Sequence, residues 1–169
     1  MDLLNKFLKK NREKRLEIHC IGDAMIDQYI DIKVTRISPE SPAIVMLSDF
    51  EQYESKPGGA ANVAYQFKNF NVKPLLVCWH DEIGRYVFEK HNINYVHESF
   101  SRACNLPIKR RFLDDGVQIV RHDIESKFCG LNEELAKSFI QKTQSYLNCV
   151  PDVVILSDYN KGFFPDDND

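Results

Sequence analysis

The sequence predicts an α/β fold: a mainly parallel sheet flanked by helices, with a small second β-sheet inserted through two segments of the chain. Three observations carry this. Short apolar runs at residues 18–21 (IHCI), 75–79 (LLVCW) and 153–156 (VVIL) are bounded by turn residues, the pattern of strands buried on both faces of a parallel sheet. Stretches of helical period lie between them. Residues 28–54 and 108–124 break the alternation and read as half-exposed strands.

Taken along the chain, residues 1–17 form an N-terminal extension in which Leu3, Leu4, Phe7 and Leu8 fall at helical spacing before a basic stretch. A short helix docked on the domain is expected there, with a membrane-surface or targeting helix as the alternative. It lacks the apolar block of a signal peptide. Residues 18–169 form the domain. Its first strand ends in Gly22-Asp23, a polar turn at the carboxyl end of a buried strand. Residues 59–70 place Ala60, Val63, Ala64 and Phe67 on one helical face after a Pro-Gly-Gly turn. A strand at 75–79, a short helix at 84–91 and a strand at 93–96 follow. Asp114-Asp115-Gly116 separates two strand-like runs and predicts a hairpin. Residues 131–147 are the clearest helix: Asn132 caps it, Glu133 and Glu134 suit its first turn, and Leu135, Phe139 and Tyr146 line one face. The second sheet, spanning about 28–54 and 108–124, is placed to cover the carboxyl ends of the core strands, where open α/β sheets bind ligands.

Composition excludes several functions. The 169 residues carry 22 basic and 25 acidic side chains, a net charge of −3, so no basic excess points to nucleic acid. No apolar run approaches the roughly 20 residues of a membrane span. Five cysteines, Cys20, Cys78, Cys104, Cys129 and Cys149, are odd in number, widely spaced and without a C-x-x-C pair. They suit reduced thiols in a cytoplasmic protein better than disulfides or a zinc site, and no metal-binding set is expected.

Polar clusters interrupt the apolar pattern where core strands should end. In Gly22-Asp23-Ala24-Met25-Ile26-Asp27, Asp27 is a carboxylate able to accept hydrogen bonds from sugar hydroxyls, or simply the cap of a turn. Pro57-Gly58-Gly59-Ala60-Ala61-Asn62 offers close backbone approach and free N–H groups at a helix start, with Asn62 as donor and acceptor. A plain tight turn explains the glycines equally well, and no Gly-Lys-Ser/Thr makes it a P-loop. Lys109 and Arg111 alternate onto one strand face, with Ile108, Arg110 and Phe112 on the other, opposite Arg121 and Asp123 of the expected hairpin. They suit a substrate phosphate, Arg111 as a bidentate donor, or the gatekeeper charges of a solvated edge strand. Asp158 and Lys161, in Ser157-Asp158-Tyr159-Asn160-Lys161-Gly162, bring a carboxylate and an ammonium to a strand end. That pair suits phosphoryl transfer or a loop ion pair.

In this order, GDAMID, RISPESPA (36–43), PGGAAN, K-x-R with R-x-D, and LSDYNKG (156–162) are similar to the D-glycero-β-D-manno-heptose-7-phosphate kinases of the ribokinase/PfkB superfamily. The specific signals are the run 36–42 and the run 156–162; Gly-Gly-x-x-Asn marks only the superfamily. The resemblance spans residues 18–164. It implies a ribokinase-like three-layer α/β sandwich with a β-sheet lid, often paired with a second subunit through that lid. It implies MgATP-dependent phosphorylation of a heptose phosphate at its anomeric hydroxyl, in supply of nucleotide-activated heptose for surface polysaccharide. Asp27 then contacts sugar hydroxyls, Gly58, Gly59 and Asn62 form the sugar-binding turn, Lys109 and Arg111 face the substrate phosphate, and Asp158 and Lys161 lie beside the transferred phosphoryl group.

The family is about twice as long, and its second half holds a Gly-Ala-Gly-Asp motif carrying the general base, with most of the nucleotide pocket. The one Gly-Asp pair here is Gly22-Asp23, so no catalytic base is expected within these residues and the sugar-binding half is the expected content. Pro165-Asp166-Asp167 resembles an interrupted first helical turn. Asn105-Leu106-Pro107 lacks the threonines usual before the K-x-R strand. The alternatives are a non-catalytic sugar-phosphate-binding or dimerising module, and a related kinase for another sugar phosphate.

Overall fold

A computed structural model describes residues 15–96, 105–125 and 150–164, with single residues 6, 9, 137, 141, 143 and 144, the side chains of 50 and 51 excepted. Its first sheet is the expected parallel core. Strand β1 (Leu16–Gly22) lies between β4 (Val72–Val77) and β7 (Val153–Ser157), and all three run parallel. The register sets Cys20 between Leu76 and Ile155. A central strand has no free edge, which is why IHCI is apolar almost throughout.

One face of this sheet packs on two helices, α1 (Ala60–Phe67) and α2 (Glu82–Lys90). Ala60, Ala61 and Ala64 are buried and small, so α1 lies close to the sheet, while Val87 and Phe88 of α2 fill the same cluster with Leu16, Ile18 and Leu76. The Asp81 carboxylate accepts from the Gly84 N–H at 2.6 Å and the Leu106 N–H at 2.9 Å, capping α2 and tying down the approach to the next strand. The opposite sheet face carries Ile21, Leu75 and Val77 with Trp79, Val96 and Phe163. Cys20 and Cys78 are free and buried, and burial pushes the Cys20 thiol up to about 11 and Cys78 further in the same direction. Both thiols are inert packing groups.

The second sheet contains β2 (Ala24–Ile37), β3 (Ile44–Gly59), β5 (Ile108–Asp114) and β6 (Val117–Ile124), in the order β3-β2-β5-β6. β2 pairs antiparallel with β3 and parallel with β5, and β5 and β6 form the expected hairpin. Asp115 and Gly116 both have positive φ, 48° and 80°, as a two-residue hairpin turn requires. The Asp114 and Asp115 carboxylates hold Lys33 Nζ at 3.1 and 3.0 Å, fastening that turn to β2.

The lid strands are longer than the sequence suggests. Pro57-Gly58-Gly59 is the end of β3 rather than a turn, paired with Ile26, Met25 and Ala24, so the lid runs over 24–59 instead of 28–54. Glycine and proline are read as breakers in a sequence, but here the backbone of β2 supplies the pairing that a lone segment lacks. Residues 93–96 make a single parallel bridge, Tyr95 to Leu76, rather than a full strand. β1 starts at Leu16, inside the stretch assigned to the N-terminal extension. Lys6 and Lys9 are helical, as are Lys137, Gln141, Thr143 and Gln144. The remainder of the two terminal helical expectations, 1–17 and 131–147, and the Pro165-Asp166-Asp167 turn lie outside the described residues.

Candidate functional site

The site starts where β1 and β7 end. Gly22, at φ 145°, lies so close to Ser157 that a Cβ there would sit 2.1 Å from its carbonyl oxygen. The chain then turns to present Asp23, whose N–H donates to Ser157 O at 3.0 Å. The Asp23 side chain is 4% exposed and accepts three backbone N–H groups: Tyr159 at 2.8 Å, Lys161 at 3.1 Å and Phe163 at 3.0 Å. Loop 158–163 is therefore wound around one buried carboxylate. Such charge-assisted bonds compensate the desolvation of that carboxylate. Asp23 O also accepts the Ala60 N–H at 2.8 Å, so one residue joins the parallel sheet, the start of α1 and the loop.

Within that loop Asp158 and Lys161 do not pair with each other. Asp158 Oδ1 accepts the Asn160 N–H at 2.8 Å, stabilising a turn in which Asn160 has φ 53°. Lys161 Nζ reaches Glu125 at the end of the hairpin, 2.7 Å away. The ammonium is thus drawn over the strand end by the lid, and the Asp158 carboxylate is exposed beside it.

The lid supplies the second part. Asp27 on β2 lies opposite Lys56 of β3 and Lys109 of β5, so alternation places all three on one face. Arg111 Nη1 donates to Asp27 Oδ1, and the two side chains are 22% and 19% exposed. Asp27 Oδ2 has no hydrogen-bond partner among the described residues. A Cβ on Gly58 would meet that oxygen at 2.7 Å, so glycine there keeps the carboxylate open. Gly59 has φ 56°, and a Cβ would fall 2.3 Å from Asp23 O; only glycine lets the strand turn into α1 at this distance. Lys109 Nζ pairs with Asp123 at 3.3 Å, and Arg121 shares the same carboxylate. Arg110 turns to the other face and donates to Gln28 at 3.0 Å.

The structure therefore gathers Asp27, Gly58, Lys109 and Arg111 on the lid, and Gly59 with the Asp158–Lys161 loop at the sheet end. Asn62 stands apart: it is exposed on α1 and its side-chain oxygen accepts from Gln66 at 3.3 Å. Two participants escape a reading of the sequence. Asp23 was signalled by its place right after a buried strand and glycine, yet nothing in sequence shows that a segment 136 residues later would wrap it. Lys56 precedes the Pro-Gly-Gly run, and its position opposite Asp27 depends on a pairing register that sequence does not reveal.

The chain is 35% identical over 156 residues to the bifunctional protein HldE of Psychromonas ingrahamii, covering 90% of this chain. It is 36% identical over 146 residues to HldE of Vibrio vulnificus and 32% over 155 residues to HldE of Hyphomonas neptunium. The chain is similar to HldE over most of its own length and has the ribokinase-like fold. It spans 32%, 29% and 30% of the length of these HldE relatives. The fold follows from solved structures such as a carbohydrate kinase from Agrobacterium tumefaciens, with TM-score 0.54 at 14% identity over 83% of this chain and 45% of that one. Phosphofructokinase-2 from Escherichia coli in complex with fructose-6-phosphate gives 0.53 at 13% identity, over 85% and 45%. No family model matches the chain. The heptose-7-phosphate kinase resemblance of the RISPESP and LSDYNKG motifs agrees with these relatives.

Proposed function

We propose that these residues form the sugar-binding part of an ATP-dependent carbohydrate kinase that phosphorylates a heptose 7-phosphate at its anomeric hydroxyl, in supply of nucleotide-activated heptose. The observation that carries this reading is the Asp27 carboxylate: one oxygen is fixed by Arg111, and the other lies beside Gly58 without a hydrogen-bond partner among the described residues. Such an acceptor, held rigid on paired strands, suits vicinal sugar hydroxyls. Gly58 and Gly59 allow close approach, and Lys109 and Arg111 supply positive charge on the lid. The HldE relationship supports the choice of a heptose phosphate over another sugar phosphate.

MgATP supplies the phosphoryl group when bound. Among the described residues no cluster of three or more His, Cys, Asp or Glu side chains could hold a metal ion. Asp158 and Lys161 fit the phosphate end of a nucleotide: a solvent-facing carboxylate for a hydrated cation and an ammonium for phosphate oxygens. A homodimer through the lid, or a chain segment completing the nucleotide site, is the partner this reading requires. No helix among the described residues is long and apolar enough to cross a membrane, and the proposed reaction draws on cytoplasmic ATP.

Two results are expected. The 169 residues alone show no transfer from MgATP to heptose 7-phosphate, because they contain no Gly-Ala-Gly-Asp base and positioning one substrate without the other leaves most of the bimolecular cost. Measurable turnover in a coupled ADP assay refutes that. By calorimetry the same protein binds heptose 7-phosphate, and Asp27→Ala weakens binding about 10- to 100-fold, the loss of one or two hydrogen bonds to a charged acceptor. Unchanged affinity in the variant removes Asp27 from the sugar site. Self-association with no sugar binding in the wild type favours the non-catalytic dimerising module instead.

A further inference from the structure

Beyond Asp27 the lid face continues into a cleft of about 520 Å³, lined by Tyr29, Tyr53, Glu54, Lys56 and Lys90 among others. Its floor is organised. Tyr29 lies two residues past Asp27 on β2, on the same face. Lys56 Nζ sits 4.9 Å from the centre of its ring and Arg111 Cζ 5.5 Å from it. One aromatic ring thus holds a cation from each neighbouring strand, both within the range of cation–π attraction. Lys90, at the end of α2, lines the same cleft and has no ion pair among the described residues.

We propose that Lys56 is a ligand of the phosphate that the sugar substrate already carries, with Lys90 as a second cation lining the same cleft. This deepens the proposed function and rests on it. The anomeric hydroxyl must face loop 158–163, at the start of β2, for transfer to occur. The phosphate at carbon seven is at the other end of the sugar. With the ring on Asp27, that end runs along β2 toward Tyr29, roughly 7 Å further at the rise of a strand. Lys109 and Arg111 are already engaged, by Asp123 and by Asp27. Lys56 is held by Glu54 at 3.0 Å, in a pair whose side chains are 46% and 55% exposed. An exposed pair of this kind is worth little, so a phosphate dianion displaces Glu54 readily. Glu54 and Asp31, which also lines the cleft, then face the hydroxyls of the exocyclic carbons. The mixture of cations and carboxylates selects a polyol phosphate over a bare anion.

The test is calorimetry of heptose 7-phosphate with wild type, Lys56→Gln and Lys73→Gln. Lys73 pairs with Glu17 on the other sheet and controls for loss of one positive charge. Lys56 is exposed, and equal thermal midpoints for the variants confirm intact folding. The inference expects Lys56→Gln to weaken binding about tenfold or more and to flatten its dependence on salt, with Lys73→Gln within twofold of wild type. Equal affinities in all three proteins, or equal losses in both variants, overturn it and leave the sugar site standing. Wild type that binds no heptose 7-phosphate overturns the sugar-site reading itself, and this inference with it.

Discussion

Asp23→Ala is expected to lower the stability of the domain by about 3 kcal/mol, and to release loop 158–163 as a unit. Three N–H groups, those of Tyr159, Lys161 and Phe163, lose a single charged acceptor at once. A hydrogen bond to a charged group contributes about 1.5–3 kcal/mol when its partner stays buried. The three effects do not add fully, because Tyr159 is exposed and its N–H can find water after the change. The Asp23 backbone keeps its bonds to Ser157 and Ala60, so the sheet and α1 remain. For a domain of this size the loss corresponds to a fall in Tm of roughly 6–12 °C. Amide exchange distinguishes the mechanism: the N–H groups of 159, 161 and 163 should lose protection well ahead of those in β1. Asp23→Asn retains an acceptor and should fall between. If exchange in the loop is unchanged in Asp23→Ala, the carboxylate does not organise it.

The loop matters because it carries Asp158 and Lys161. Neither is held in place by its own side chain alone: Asp158 caps the Asn160 turn, and Lys161 reaches across to Glu125. Their positions depend on the Asp23 anchor and on the hairpin. Phosphoryl-transfer sites work by placing charge, so a loop fixed by a buried carboxylate beneath it suits that role.

How much of this was legible in the sequence depended on the range of the interaction. The parallel core was readable because IHCI and LLVCW are buried on both faces and burial writes itself locally as apolar composition; VVIL carries the same composition although Val154 and Leu156 on one of its faces are exposed. The β5–β6 hairpin was readable because Asp115-Gly116 needs positive φ. The alternation of Lys109 and Arg111 held, since a period of two follows from the strand alone. Pairing register did not show. That Asp27 lies between Lys56 and Lys109, and that Pro57-Gly58-Gly59 continues a strand, are facts about β2 meeting β3 and β5. The same is true of Asp23, whose partners lie about 140 residues away. Sequence marked the residue types at each strand end, and the fold decided which of them meet.

Gly59→Ala combines conformational strain with steric conflict at the site. Gly59 and Gly116 both have positive φ, 56° and 80°, but Gly59 combines it with ψ −135°, a conformation open to almost no residue but glycine. At Gly116 an added Cβ meets nothing within 4 Å, so Gly116→Ala costs the left-handed backbone penalty alone, about 1 kcal/mol. At Gly59 the same methyl falls 2.3 Å from Asp23 O and 3.1 Å from Met25 Cε. The methionine tip can move, but the carbonyl cannot without breaking its bond to the Ala60 N–H, which is the first fixed point of α1. The end of β3 must then shift away from β2, and a forced backbone displacement adds about 1–3 kcal/mol or more. Gly59→Ala should therefore destabilise by about 3–4 kcal/mol by denaturant titration, several times the Gly116→Ala value. It should also abolish sugar binding, because Gly58 and the open oxygen of Asp27 ride on the same strand end. Equal costs for the two variants would show that both the contact with Asp23 O and the Gly59 backbone conformation relax freely.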